Sequence, residues 1–195
     1  MNDITYNYYQ QNSKEYFDST IGTDVSSIYE HFCKYVPSGG RILDLGCGSG
    51  RDIRAFRDMG YDADGIDGSE KLCKLARTYT DAPIRCMDFA TINDIAEYNA
   101  IWACASLLHI PYEEILPLFK KLMVALKDNG VIYASFKYGD YEGERDDRYY
   151  TDMTSDRFRT TIESIKGLSP VEEWTSEENR NSTIIKWYNT ILRKD

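Results

Sequence analysis

The stretch RILDLGCGSGRD, Arg41 to Asp52, constrains this chain more than any other. A short apolar run breaks into three alternating glycines, Gly46, Gly48 and Gly50, which reads as a buried strand ending in a tight loop. Asp52–Met59 follows with Ile53, Phe56 and Met59 at helical spacing and stops at Gly60. A strand, a glycine loop and a helix in that order are the start of an open, mostly parallel α/β sheet.

The alternation continues. Tyr61–Asp67 reads as a second strand, and Ser69 caps a helix whose apolar face carries Leu72, Leu75, Ala76 and Tyr79. Pro83–Met87 and Ala100–Ala105 are the third and fourth strands. After a short turn, Pro117 is expected at the first helical position, where proline is tolerated, and Gly130 ends that helix. Val131–Phe136 is the fifth strand, and Thr154 caps a last helix with Phe158, Ile162 and Ile165 inward. Val171–Ser176 and Thr183–Arg193, separated by the polar stretch EENRNS, suit an antiparallel hairpin joined to the parallel sheet. The expected fold is one α/β domain over 1–195, doubly wound and Rossmann-like, with seven strands, a helical lid segment over 1–38 and an insertion over 137–153. Ligands of such sheets bind beyond the carboxyl ends of the strands.

Three ligands compete for the glycine loop. A phosphate loop needs Gly-Lys-Ser/Thr, but Arg51 and Asp52 follow Gly50. A dinucleotide fingerprint needs GxGxxG, whereas the spacing is GxGxG and Asp44 would face a pyrophosphate. S-adenosylmethionine carries an ammonium, a carboxylate and a sulfonium but no phosphate. Glycines let backbone approach its methionine part, and a carboxylate attracts its cationic groups. Asp67, in GIDGS, is placed to accept from both ribose hydroxyls. Asp88, in CMDF, is placed to bond an adenine amino group, with Phe89 as donor or ring wall. Each acid alone is as well explained by a cap or turn. Three acids after three successive strands, together with the loop, favour the cofactor.

These residues carry a family resemblance. LDLGCGSGRD, GIDGS, CMDF, IWACASLLHI and LKDNGVIYASF resemble the successive motifs of class I S-adenosylmethionine-dependent methyltransferases, over about Arg41 to Phe136. Within that class the chain is similar to small single-domain enzymes of the tellurite-resistance and type 11/12 kind. The resemblance implies that Asp44, Gly46 and Gly48 contact the methionine end, Asp67 the ribose, and Asp88 with Phe89 the adenine. Cys47, Arg51, Gly68, Ser69, Met87, Ala103 and Ala105 neighbour these positions and complete the expected cofactor set, with Tyr16 from the lid.

The acceptor is expected beyond the fourth strand, at Ala105-Ser106-Leu107-Leu108-His109. The Asn/Asp-Pro-Pro-aromatic motif of amino-methylating nucleic-acid enzymes and the Pro-Cys of cytosine C5 enzymes are both missing there. Leu107 and Leu108 suit a small acceptor. His109 can serve as base or orienting group, or be a hydrogen-bonded structural histidine. His31 is expected on a surface helix without a role, and Cys104 as a packing thiol in a buried strand. Tyr6, Tyr9 and Tyr16, near helical spacing, could close over the cofactor and set ring faces near the sulfonium, worth roughly 0.5–2 kcal/mol. In the insertion, Arg145, Arg148, Tyr149 and Tyr150 could bind an anionic or planar substrate, unless local acids neutralise both arginines.

Charge and composition narrow the class. A net charge of −9 argues against nucleic acid as the main partner. The polar, aromatic MNDITYNYYQQ is no signal peptide, and no run approaches the roughly 20 apolar residues of a membrane span. The five cysteines show no CxxC pairing, so free thiols in a cytoplasmic protein are expected and no metal site. The expectation is a cytoplasmic S-adenosylmethionine-dependent methyltransferase acting on a small molecule. A tRNA or protein methyltransferase and a non-catalytic cofactor-binding module are the alternatives. Oligomeric state is not legible.

Overall fold

A computed structural model describes residues 3–180 and 183–195. Its sheet runs β3-β2-β1-β4-β5-β9-β8. The parallel strands are β1 (Arg41–Leu45), β2 (Asp62–Asp67), β3 (Ile84–Cys86), β4 (Tyr98–Ala103) and β5 (Leu126–Lys137). The C-terminal hairpin, β8 (Leu168–Arg180) and β9 (Thr183–Lys194), adds two antiparallel strands beside β5. This is the expected doubly wound α/β sheet. The order reverses between β1 and β4, so the switch-point crevice lies at the glycine loop.

Strand alternation divides the core. Leu43, Leu45, Ile101, Ile132 and Phe136 point to one face, covered by α6 (Tyr112–Ala125) and α7 (Ser155–Ile162). Ile42, Trp102, Val131 and Tyr133 point to the other, covered by α3 (Ser26–Cys33), α4 (Arg51–Asp58) and α5 (Glu70–Thr80). Both faces of the central strands are therefore apolar, which is why they read as continuous runs. Thr154 caps α7 by accepting from Arg157 N at 3.2 Å, and Ser69 caps α5 by accepting from Leu72 N at 3.3 Å. Two short helices, α1 (Asp3–Gln11) and α2 (Ser13–Thr20), precede the sheet.

Several boundaries differ from those expected. Helix α6 starts at Tyr112, and Pro117 lies inside it rather than at its first position. Pro117 and Glu113 are both exposed, so water can satisfy the Glu113 carbonyl that loses its helical donor. The helix also ends at Ala125 rather than Gly130. Residues 127–130 bulge within β5, with Asn129 at φ 62°. Strand β4 stops at Ala103, leaving Cys104 and Ala105 in a turn, half-buried, with Ala105 at φ 51°. The stretch EENRNS is mostly strand, since β8 continues to Arg180. Its Asn181 and Ser182 lie outside the described residues, as do Met1 and Asn2 of the N-terminal stretch.

The segment 137–153 is a second small sheet, a hairpin of β6 (Glu142–Arg145) and β7 (Arg148–Thr151). All five cysteines are free; Cys47 and Cys73 are buried, whereas Cys86 is exposed. Among the described residues no helix is long and apolar enough to cross a membrane, and no group of three His, Cys, Asp or Glu could hold a metal ion.

Candidate active site

The glycine loop wraps the carboxyl end of β1. Gly46, Gly48 and Gly50 all have positive φ, at 87°, 51° and 80°. Gly46 N and Cys47 N both donate to Ile66 O, at 2.8 and 3.0 Å, which ties the loop to β2. The positions a Cβ would take are filled by protein rather than left open. At Gly46 it would lie 2.3 Å from Ser106 Cβ and 3.1 Å from the Phe89 ring, and at Gly48 3.0 Å from the Tyr16 ring. The glycines are thus required by the turn and by packing, in addition to any approach of a ligand. The Cys47 side chain turns away toward Gly65 under the sheet.

Asp44 is 2% exposed, and its Oδ2 has no hydrogen-bond partner. Burial pushes its carboxyl well above the usual carboxylate range, and Asp52 adds to the shift. A buried acid with an orphaned oxygen is costly unless a donor completes it. Asp67 is also buried; its Oδ2 accepts from Gly48 N at 2.9 Å and its Oδ1 from Ser69 N at 2.8 Å. Burial raises its pKa, and these two donors oppose the rise. Each oxygen retains a lone pair for a hydroxyl donor. Gly68, between Asp67 and Ser69 in the chain, is half-buried. Asp88 is half-buried and caps a short 3₁₀ turn, accepting from Ala90 N at 2.8 Å. Phe89 is buried against Gly46, while Met87 and Ala105 pack half-buried against the same apolar core and Ala103 is fully buried.

Asp52 is a site residue that spacing did not single out. It accepts from Arg51 at 2.6 and 2.9 Å, from the Tyr29 hydroxyl at 2.5 Å and from Trp102 Nε1 at 2.8 Å. Arg51 is therefore engaged beneath the loop. The signal available was position: an acid in the first turn of the helix that follows the loop.

Helices α1 and α2 cover this end of the sheet, whereas α3, also within 1–38, packs into the core. Tyr16 covers Gly48, the Thr20 hydroxyl donates to Ser49 Oγ at 3.1 Å, and Gln10 Oε1 accepts from Ser69 Oγ at 3.1 Å. Tyr6 is exposed and stays outside. Tyr9 stands edge-on to Tyr16 at 5.0 Å and to His109 at 5.6 Å, and His109 lies 4.9 Å from Tyr150. A row of rings thus leads from the glycine loop to the hairpin.

His109 is buried, with both ring nitrogens engaged. Nδ1 lies 2.7 Å from Tyr149 O, an acceptor only, so Nδ1 carries the proton and Nε2 accepts from the Tyr9 hydroxyl at 2.9 Å. Burial pulls its pKa down to about 3, opposed by the Tyr149 bond and assisted by Arg148, Lys137 and Arg145. The imidazole is a neutral acceptor already in use. Arg145 is neutralised by Asp152, at 2.9 and 2.6 Å, as the solvated-loop alternative anticipated, whereas Arg148 has no carboxylate within ion-pair distance among the described residues. Tyr150 is 2% exposed, whereas Arg148 is half-buried with its guanidinium 4.4 Å from the Tyr8 ring.

His31 departs from the expectation of an idle surface residue. It stacks on Trp174 at 4.4 Å and bonds Glu172, pinning α3 to the C-terminal hairpin. Cys104, past the end of its strand, packs only partly against the core. A groove of about 680 Å³ on the outer side of α2 is walled by Gln11, Asn12, Glu15 and Ser19 and touches none of the site residues.

Residues 42–130 match the family model described as a methyltransferase domain. The match spans the glycine loop and the three strand-end acids, less than half of the chain. The Bacillus subtilis (strain 168) candidate methyltransferase YqeM is 27% identical over 124 residues, 56% of this chain and 50% of YqeM. The matched segment therefore spans half the length of that relative. Magnesium protoporphyrin IX methyltransferase from Synechocystis PCC 6803, solved with bound S-adenosylhomocysteine, has a TM-score of 0.75 at 16% identity, covering 97% of each chain. The 1,6-didemethyltoxoflavin-N1-methyltransferase of Burkholderia thailandensis, solved with 1,6-didemethyltoxoflavin and S-adenosylhomocysteine, reaches 0.74 at 16% identity, covering 97% of this chain and 85% of its own. At these identities the likeness is one of fold.

Proposed function

We propose that this chain is an S-adenosylmethionine-dependent methyltransferase acting on a small-molecule acceptor. The observation that carries the cofactor is the orphaned oxygen of buried Asp44 beside a glycine loop, within the segment that matches the methyltransferase-domain model. That acid asks for a cationic donor, and an amino-acid ammonium supplies one. Asp67, with lone pairs facing outward from two backbone donors, suits vicinal hydroxyls. Asp88 and Phe89 stand beyond β3, where the adenine is expected. Free thiols throughout fit a reducing cytoplasm. Within the class, the motif likeness favours the small tellurite-resistance and type 11/12 branch.

When bound, the cofactor supplies a sulfonium-activated methyl group. The protein must hold the acceptor in line and exclude water; orientation of this kind is worth on the order of 7–11 kcal/mol. Helices α1 and α2 exclude water by covering the loop. Tyr9, fixed by His109, presents a ring at the junction of lid and hairpin. We assign His109 a positioning role, since its accepting nitrogen is occupied and its low pKa makes it a weak base. Arg148 and Tyr150 stand on the acceptor side.

The test is incubation of the full chain with methyl-labelled S-adenosylmethionine and fractionated cell extract. Label in a low-molecular-weight product supports the reading. Label in tRNA or protein would assign it to a macromolecular acceptor. Cofactor binding without transfer from any fraction would leave a binding module.

A further inference from the structure

The β6–β7 hairpin sets two arginines directly opposite one another. Arg145 and Arg148 are cross-strand partners, and Tyr150 shares their face two residues along β7. Like charges facing across a ladder disfavour the pairing. Lys137, at the end of β5, adds a third positive charge. Around the Tyr150 ring, Lys137 Nζ stands 4.2 Å from the centroid, Arg145 Cζ 4.5 Å and Arg148 Cζ 5.3 Å.

Asp152 and Asp146 oppose this cluster, but neither forms an ion pair with Lys137 or Arg148. Asp152 holds Arg145 through two bonds. Asp146, in the hairpin turn, offers Arg148 a carbonyl at 3.4 Å, and the Tyr9 hydroxyl also accepts from its guanidinium. Among the described residues neither Lys137 nor Arg148 has a carboxylate within ion-pair distance. Both are only half-buried, so a small solute can reach them. The mutual repulsion and burial of these cations show in Lys137, whose pKa is lowered by desolvation first and then by Arg145 and Arg148, with Asp152 and Asp146 opposing. The cluster also adjoins the row of rings leading back through His109 and Tyr9 to the glycine loop.

We propose that Arg148 and Lys137, over the Tyr150 ring, bind an anionic oxygen group of the methyl acceptor, a carboxylate or a phosphate. The proposal rests on the methyltransferase reading and deepens it: the acceptor is a small anion. The guanidinium can donate in a fork to two oxygens while Lys137 contributes a point charge from β5. A polyanionic nucleic acid is disfavoured by the net charge of −9.

The experiment uses the full chain loaded with S-adenosylhomocysteine and three probes: benzoate, phenyl phosphate and the uncharged benzamide. Binding is read from the arginine Nε–H resonances. Benzoate or phenyl phosphate is expected to bind at least tenfold tighter than benzamide, and their ratio tells which anion is preferred. Arg148→Gln and Lys137→Gln should each weaken the anion at least fivefold, Arg148→Lys should restore part of it, and S-adenosylhomocysteine affinity should stay within twofold. Benzamide binding as tightly as both anions, no anion binding at all, or wild-type anion affinity in both glutamine variants would overturn the proposal. If S-adenosylhomocysteine itself fails to bind, the cofactor reading falls, and the same probes on the ligand-free chain still decide this one.

Discussion

The Tyr9 hydroxyl donates to His109 Nε2 at 2.9 Å across 100 residues of chain, joining the first helix to the loop after β4. The bond is buried, and it closes a circuit in which Thr5 Oγ1 also accepts from Tyr149 N at 2.9 Å. Helix α1 is thereby tied to the loop after β4 and to the hairpin that bears Arg148.

Removing the hydroxyl tests that tie. Tyr9→Phe keeps the ring contacts but leaves Nε2 of His109 unsatisfied, a loss of roughly 1–3 kcal/mol. Hydrogen exchange should show faster opening of α1 amides, with the central strands unchanged. Equal protection of α1 in both proteins would mean that ring packing alone holds the lid.

His109 also predicts how the fold responds to acid. Its pKa is about 3 in the folded state and near 6.5 when unfolded, so the unfolded chain binds the proton more tightly. The stabilisation is complete above pH 6.5 and is lost as pH falls toward 3. Between pH 7.5 and pH 5 the loss is about 2 kcal/mol. Urea melts of wild type and His109→Asn should show that extra slope only in the wild type. Methyl transfer, by the same reasoning, should show no titration from His109 between pH 6 and 9.

Much of this was legible because local rules and the fold agree. The glycine loop, the strand-end positions of Asp44, Asp67 and Asp88, and the antiparallel hairpin follow from apolar runs and their punctuation. What escaped was tertiary. Pro117 reads as a helix start by propensity, yet solvent exposure of Glu113 lets the helix begin five residues earlier. No periodicity shows that Ser106 fills the space beside Gly46, or that Asp52 gathers Arg51, Tyr29 and Trp102. The charged insertion reads as a loop, because a hairpin of four-residue strands has too few residues for a pattern. Its composition is acidic, and the gathering of Lys137, Arg145 and Arg148 around the Tyr150 ring emerges only in the fold.

Asp52 should be the costliest polar residue to remove. Asp52→Ala leaves Arg51, the Tyr29 hydroxyl and the Trp102 indole without their acceptor beneath the glycine loop. Breaking one side of a buried ion pair costs about 3–5 kcal/mol. Thermal melts should show the loss, whereas Tyr29→Phe, which spares the other donors, should cost about 1 kcal/mol. Equal small losses in both would mean that water substitutes freely at this site.

Asp44 gives the sharpest test of the cofactor's charge. Burial holds its carboxyl protonated to higher pH than a solvated aspartate, and its Oδ2 lacks a donor. An ammonium arriving beside it favours the ionised form, so binding of S-adenosylhomocysteine should release a proton, and affinity should rise with pH through the free-state pKa. Calorimetry in two buffers of different ionisation enthalpy counts that proton directly. Asp44→Asn keeps the shape but cannot ionise. It should bind without proton release and roughly 10–150-fold more weakly, the loss of one charge-assisted bond of about 1.5–3 kcal/mol. Proton release undiminished in Asp44→Asn would place the ammonium elsewhere and remove this acid from the cofactor site.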